Sequence, residues 1–203
     1  MAQTSASSAV SGSSRAYPSV RPSVRWTASI VASSALVAIC AHISVPLFFT
    51  PVPMTLQPFA VLLLGLLLDP VAAFAALALY LLEGGSGLPV FTPQGPGGIS
   101  QLIGPTGGYL MSYPFVAAMV SFVYRRLRGR RFASGLIAAA AGDALILASG
   151  ATWMAMLTPQ HFSTLLSLSV VPFLPGDALK VCAAAAIAAG WLHMRKMEES
   201  VGR

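Results

Sequence analysis

The placement of the positive charges constrains this chain more than any other feature. Of its twelve Lys and Arg residues, eleven fall in three polar places. Arg15, Arg21 and Arg25 lie near the N-terminus, Arg125, Arg126, Arg128, Arg130 and Arg131 form one short cluster, and Arg195, Lys196 and Arg203 stand at the C-terminus. Long apolar runs lie between them, and Lys180 alone enters one, Ala178 to Met194. With 56% hydrophobic and 9% charged residues, the chain cannot cover a water-facing surface, which ordinarily takes about a quarter charged residues. Apolar runs separated by basic loops describe a polytopic helical membrane protein whose basic loops stay on the cytoplasmic side. The same distribution accounts for the net charge of +6 with membrane lipid, and no nucleic acid, as the partner.

The pattern predicts an all-α membrane protein of six transmembrane helices, at about Thr27–Phe48, Gln57–Leu68, Val71–Leu82, Gly107–Tyr124, Phe132–Trp153 and Pro175–Met194. Residues 1–26 read as a disordered, basic cytoplasmic tail. They have no long apolar core of the secretory-signal kind, although an organellar transit peptide has a similar composition. Residues 27–195 read as the membrane domain and 196–203 as a cytoplasmic C-terminal tail. The second and third spans are short, and Asp69-Pro70 between them breaks the helix. A tight turn between two short spans is expected, with one buried re-entrant hairpin as the alternative. With both termini cytoplasmic, all eleven tail and loop basics fall on one side, as the positive-inside rule requires. The connections 49–56, 83–106 and 154–174 then fall on the other. Residues 83–106 hold seven glycines and the anchors of Gly87-Leu-Pro-Val-Phe91, a composition expected of a folded lid. Within 159–171 a short surface helix is expected.

Asp177 precedes Lys180 by three residues, so on a helix the two side chains share a face. A cation inside a membrane segment costs at least a few kcal/mol, so such a residue is kept with a partner and generally for a function. Lys offers a compact charge and three donors to a small organic carboxylate. Asp offers acceptors to N–H groups, or simply neutralises Lys180. The pair opens the sixth span where the three outer connections converge, which points to an outward-facing pocket. Gln57 and Tyr109, at the outer ends of their spans, are candidate ligand contacts. Glu83 either lines the pocket or caps the bundle, and Phe91 is an apolar anchor of the lid.

Other chemistries are weighed on the same residues. Asp143 is a second intramembrane carboxylate, read as a helix contact or a proton-linked group. Gly142-Asp143 and Gly176-Asp177 together also have the form of a diaspartyl membrane protease, in which two carboxyls share a proton. Against that reading, Lys180 beside Asp177 holds that carboxylate ionised. No Gly-x-x-x-x-Gly-Lys-Ser/Thr run occurs, so the chain is not itself an ATPase. His42, His161 and His193 are scattered, and Cys40 and Cys182 sit in apolar runs, so neither a metal site nor a disulfide framework is expected. No catalytic residues are assigned, and the chain reads as a binding protein and not an enzyme. Ala28 and Ala32, four apart with Ser29 and Ser33 beside them, form a small-residue face that permits close helix–helix approach in lipid.

Four stretches carry a resemblance to a known family: Thr50-Pro-Val-Pro-Met-Thr-Leu-Gln57, Gly87-Leu-Pro-Val-Phe91, Gly104-Pro-Thr-Gly-Gly-Tyr-Leu110 and Pro172-Phe-Leu-Pro-Gly-Asp-Ala-Leu-Lys180. Over about residues 28–194 the chain resembles the BioY family, the biotin-binding S components of energy-coupling factor (ECF) transporters. The resemblance implies an S-component-like bundle in the cell membrane, a bacterial inner membrane, that binds biotin in an outward-facing pocket closed by the 83–106 loop. It implies partners too: a transmembrane coupling subunit and two ATPases that consume the ATP, the chain itself needing no cofactor. Asp177 and Lys180 fall on the family's ligand-binding motif, and Gly98, Thr106, Gly107, Gly108 and Tyr109 on the pocket wall. Ala28 and Ala32 match the Ala-x-x-x-Ala signature through which S components dock on the coupling subunit. An S component for another vitamin would use the same bundle with different pocket residues. A self-contained, proton-coupled transporter using Asp143 is a third possibility.

Overall fold

The structure, a computed structural model, describes residues 24–127, 129–158 and 161–201. In chain order its elements are α1 (Val24–His42), β1 (Ser44–Val45), β2 (Met54–Thr55), α2 (Gln57–Leu67), α3 (Pro70–Gly85), α4 (Gly98–Ile103), α5 (Gly107–Arg126), α6 (Arg131–Leu157), α7 (Phe162–Ser169) and α8 (Leu174–Val201). All of the expected N-terminal tail but its last three residues lies outside the described residues, as does Arg128.

Helix α2 is the centre of the bundle. Its sequence is apolar on every side, which suits a helix surrounded by protein, and Ala60 to Leu66 are buried without exception. It adjoins α1, α5, α6 and α8, while α3 packs on α1 and α5, and α6 on α5 and α8. Glycines let these backbones approach: a Cβ on Gly142 would stand 2.4 Å from Val120 Cγ2, and one on Gly65 2.9 Å from the Ala117 carbonyl oxygen.

Six independent spans are not what the helices individually offer. Among the described residues, α1 and α6 are long and apolar enough to cross a membrane, and a third span results if α7 and α8, bent by 47°, count as one. At about 1.5 Å per residue, α2 reaches roughly 16 Å and α3 roughly 24 Å, against a hydrocarbon core of about 30 Å. Enclosure explains the shortness of α2, because a helix wrapped by neighbours need not match the lipid by itself. In α5, Ser112, Tyr113, Ser121 and two terminal arginines dilute an otherwise sufficient length of 20 residues.

The turn at Asp69 has the expected form. Pro70 opens α3, and Asp69 Oδ1 accepts from the Val71 and Ala72 N–H groups at 3.1 Å each, an N-cap that satisfies two otherwise unpaired donors. The Ser121 hydroxyl donates to the Leu68 carbonyl at 2.6 Å, closing the other side of the same turn.

Two boundaries differ from the sequence expectation. Helix α1 stops at His42, not Phe48, because Ser44–Val45 pairs antiparallel with Met54–Thr55, Ser44 opposite Thr55. The Pro-rich residues 46–53 connect the two strands and bring β2 to α8, where a Cβ on Gly176 would lie 3.2 Å from Met54 Sδ. At the other end α8 continues to Val201, so residues 196–201 extend the helix instead of forming a separate tail.

Candidate ligand-binding site

The site is built on the first turns of α8. Leu174-Pro175-Gly176 starts the helix, with Pro where no amide donor is needed. Asp177 falls in the first turn, where a carboxylate complements the helix dipole. Its backbone N–H donates to the Phe173 carbonyl at 2.8 Å. Three residues on, Lys180 Nζ donates to Asp177 Oδ1 at 2.8 Å, and both side chains are buried, Lys180 being 9% and Asp177 3% exposed. Each charge therefore carries its own counter-ion, which makes burial tolerable. One of the three ammonium donors is committed to Asp177.

The pair lines a cleft with Thr55 of β2, Gln57 at the start of α2, Thr92 and Gln101 of the 86–106 connection, Tyr109 and Tyr113 of α5, and Phe173. Pro53, Leu110, Ile146 and Leu147 supply apolar wall. The open space in the cleft is about 40 Å³ in this conformation, more than the ~10–15 Å³ that a single water requires.

Several polar groups are held in place by neighbours outside the cleft. Gln57 Nε2 donates to the Tyr80 hydroxyl at 2.5 Å, and that hydroxyl donates to the Val90 carbonyl at 3.2 Å. The Thr55 hydroxyl donates to Gln57 Oε1 at 3.1 Å. Tyr109 OH donates to the Ser169 carbonyl at 2.6 Å, fastening α5 to the end of α7. Asp143, buried on α6 with Oδ1 unpartnered among the described residues, lies within electrostatic reach of Asp177 and Lys180. Among the described residues no three His, Cys, Asp or Glu side chains are grouped to hold a metal ion.

The cleft unites five of the residues expected from sequence: Gln57, Thr106, Tyr109, Asp177 and Lys180. It leaves five others out of its lining. Gly107 makes room for α4 and Gly108 for α6: a Cβ on Gly107 would stand 1.9 Å from the Leu102 carbonyl oxygen, and one on Gly108 2.2 Å from Trp153 Cβ. Phe91 packs edge-on against Tyr80, with centroids 5.4 Å apart, and fills the place a Cβ on Gly84 would need. Glu83 accepts from the Ser34 hydroxyl at 2.5 Å, joining α3 to α1, which is the bundle-capping alternative. Gly98 belongs to the loop turn at the start of α4. Sequence reasoning missed Thr92, Gln101, Tyr113 and Phe173. Of these, Phe173 alone had a local signal, since it adjoins the Pro-Gly-Asp turn. The docking candidates Ala28 and Ala32 are exposed on α1.

A largely helical chain with membrane-length apolar helices and one buried ion pair facing a small cleft has the make-up of a ligand-binding membrane protein. The model of the BioY family matches residues 10–197, reaching further into the N-terminal tail than the motifs themselves do. The chain is 36% identical over 155 residues to the probable biotin transporter BioY of Pyrococcus horikoshii, covering 76% of this chain and 88% of that protein. It is also 36% identical over 165 residues to the biotin transporter BioY of Thermotoga maritima, covering 81% and 92%. The crystal structure at 2.1 Å of the S-component for biotin from an ECF-type ABC transporter superposes with a TM-score of 0.77 at 26% identity, covering 85% of this chain and 92% of that one. The chain belongs to the BioY family.

Proposed function

We propose that this protein is the biotin-binding S component of a vitamin-uptake transporter. It captures biotin from outside the cell in the Asp177/Lys180 cleft and passes it inward with an ATP-driven ECF module. The observation that carries this reading is the buried Lys180, the one Lys or Arg within an apolar run, which reaches the wall of a cleft that also holds Gln57 and Tyr109. A ligand with one carboxylate and a polar ring matches that lining: the ammonium takes the carboxylate, and the amide and hydroxyl groups take the ring. The relatives named as biotin transporters supply the ligand's identity.

In this reading α1, α2, α3, α5, α6 and α8 are six crossings of the cell membrane, with both termini in the cytoplasm. Support comes from the eleven tail and loop basic residues, which all fall on one side in that arrangement, and from the enclosure of the short α2 by its neighbours. The 86–106 connection closes over the cleft from outside. The coupling subunit docks on the face of α1 bearing Ala28 and Ala32, whose exposure in the isolated chain suits a surface reserved for another helix. Two ATPases complete the module.

Calorimetric titration of biotin into the detergent-purified protein, beside Lys180→Ala, tests the proposal. Tight binding by the wild type that is lost in the variant is expected. A well-folded wild type that ignores biotin but binds another vitamin would move the chain to a different S-component specificity.

A further inference from the structure

Gln101 is 1% exposed and lines the cleft. Its Oε1 accepts from the Gly97 N–H at 3.2 Å, while its Nε2 has no hydrogen-bond partner among the described residues. That N–H donor settles which way round the amide lies, because the reverse orientation would set an NH₂ group against an N–H. The backbone around Gly97 is specialised for this contact. Gly97 and Gly98 have φ of +69° and +58°, a left-handed turn that glycine adopts without strain. A Cβ on Gly95 would stand 2.5 Å from Oε1, so glycine there lets the loop close on the face of the amide. The 95–98 turn thus grips one end of a buried side chain and leaves its two amide hydrogens without an acceptor. Buried donors are nearly always satisfied, and an exception in a cleft calls for a missing partner.

We propose that Gln101 Nε2 is a specificity-determining donor to the ligand, reading a neutral carbonyl oxygen. This deepens the proposed function and rests on it. With Lys180 matched to the carboxylate of biotin, the neutral amide matches the carbonyl of the ureido ring. Through Oε1 and Gly97 the same side chain links occupancy of the cleft to the conformation of the 86–106 connection. Ligand binding therefore holds this loop closed.

The test compares biotin with 2-iminobiotin, in which a nitrogen that donates replaces the accepting oxygen, on the wild-type protein, Gln101→Glu and Gln101→Met. Gln101→Glu preserves the acceptor for Gly97 and turns the donor into an acceptor. The wild type is expected to prefer biotin by at least about a hundredfold. Gln101→Glu loses most of its biotin affinity and narrows or inverts that preference, while Gln101→Met narrows it without inversion. Biotin slows hydrogen exchange over residues 92–106 in the wild type and does so far less in Gln101→Met. Equal losses for both ligands, or unchanged affinities, would mean a purely structural residue and overturn the inference while leaving biotin binding intact. A wild type that binds neither ligand would remove the proposed function as well. Should Gln101→Glu fail to fold, the preference measured on Gln101→Met decides.

Discussion

The ring of Tyr109 occupies the space that a side chain on Gly150 would take: a Cβ there would lie 2.1 Å from the ring carbons Cε1 and Cζ. Helices α5 and α6 meet at this point. Because Tyr109 also donates to the Ser169 carbonyl, the glycine sets the position of a residue that both lines the cleft and anchors α7. Gly150→Ala is expected to push the ring out of place, costing about 1–3 kcal/mol as overpacked cores do. Thermal unfolding in detergent measures the loss, and biotin affinity should fall with it. An unchanged melting temperature would show that the two helices separate freely.

The Asp177/Lys180 pair separates binding from folding. Removing one partner leaves an uncompensated buried charge, with a cost of about 3–5 kcal/mol, whereas replacing both with neutral residues of similar volume is often nearly neutral. Lys180→Met alone is therefore expected to destabilise, and Asp177→Asn with Lys180→Met to recover most of the stability. Neither variant should bind biotin. Denaturation and titration on the same samples check both halves, and recovery of binding in the double variant would remove Lys180 from the site.

Glu83 joins α3 to α1 through Ser34 and lies outside the lining of the cleft. Glu83→Ala removes the acceptor for the Ser34 hydroxyl, a bond to a charged group worth about 1.5–3 kcal/mol, so stability should drop while biotin affinity changes by less than about threefold. A large loss of affinity at full stability would return Glu83 to the pocket.

The turn between α2 and α3 depends on one side chain. Asp69→Ala deletes the acceptor for two backbone N–H groups, and a lost N-cap costs about 1 kcal/mol. Asp69→Ser should retain most of the stability, which equilibrium unfolding of the two variants compares.

The exposed pair Ala28 and Ala32 gives a prediction about assembly. Enlarging both to Leu leaves the cleft untouched, so the isolated protein should bind biotin as before. In the proposed transporter the same change should abolish co-purification with the coupling subunit, because close helix approach in lipid needs small residues. Intact co-purification would place the docking surface elsewhere.

Sequence alone determined what depends on short separations along the chain and on charge. The Asp177/Lys180 pairing follows from a spacing of three on one helix, and the α2–α3 turn from Asp-Pro. The apolar runs announced the longer helices, except where the Ser44–Val45 pairing shortened α1, whereas α4 lay hidden in a stretch that reads as loop. Tertiary structure decided which residues surround the pair. Gln101 and Thr92 reach it because the 86–106 connection folds back over α5, a path without periodicity or charge to advertise it. Packing also drew Phe91 onto Tyr80, and Gly107 and Gly108 under Leu102 and Trp153, away from the cleft their motifs suggested. The physical reason is common to all of these: helix formation is local, whereas the cleft is set by distances between helices. In an apolar chain, close packing fixes those distances, and hydrophobicity alone does not.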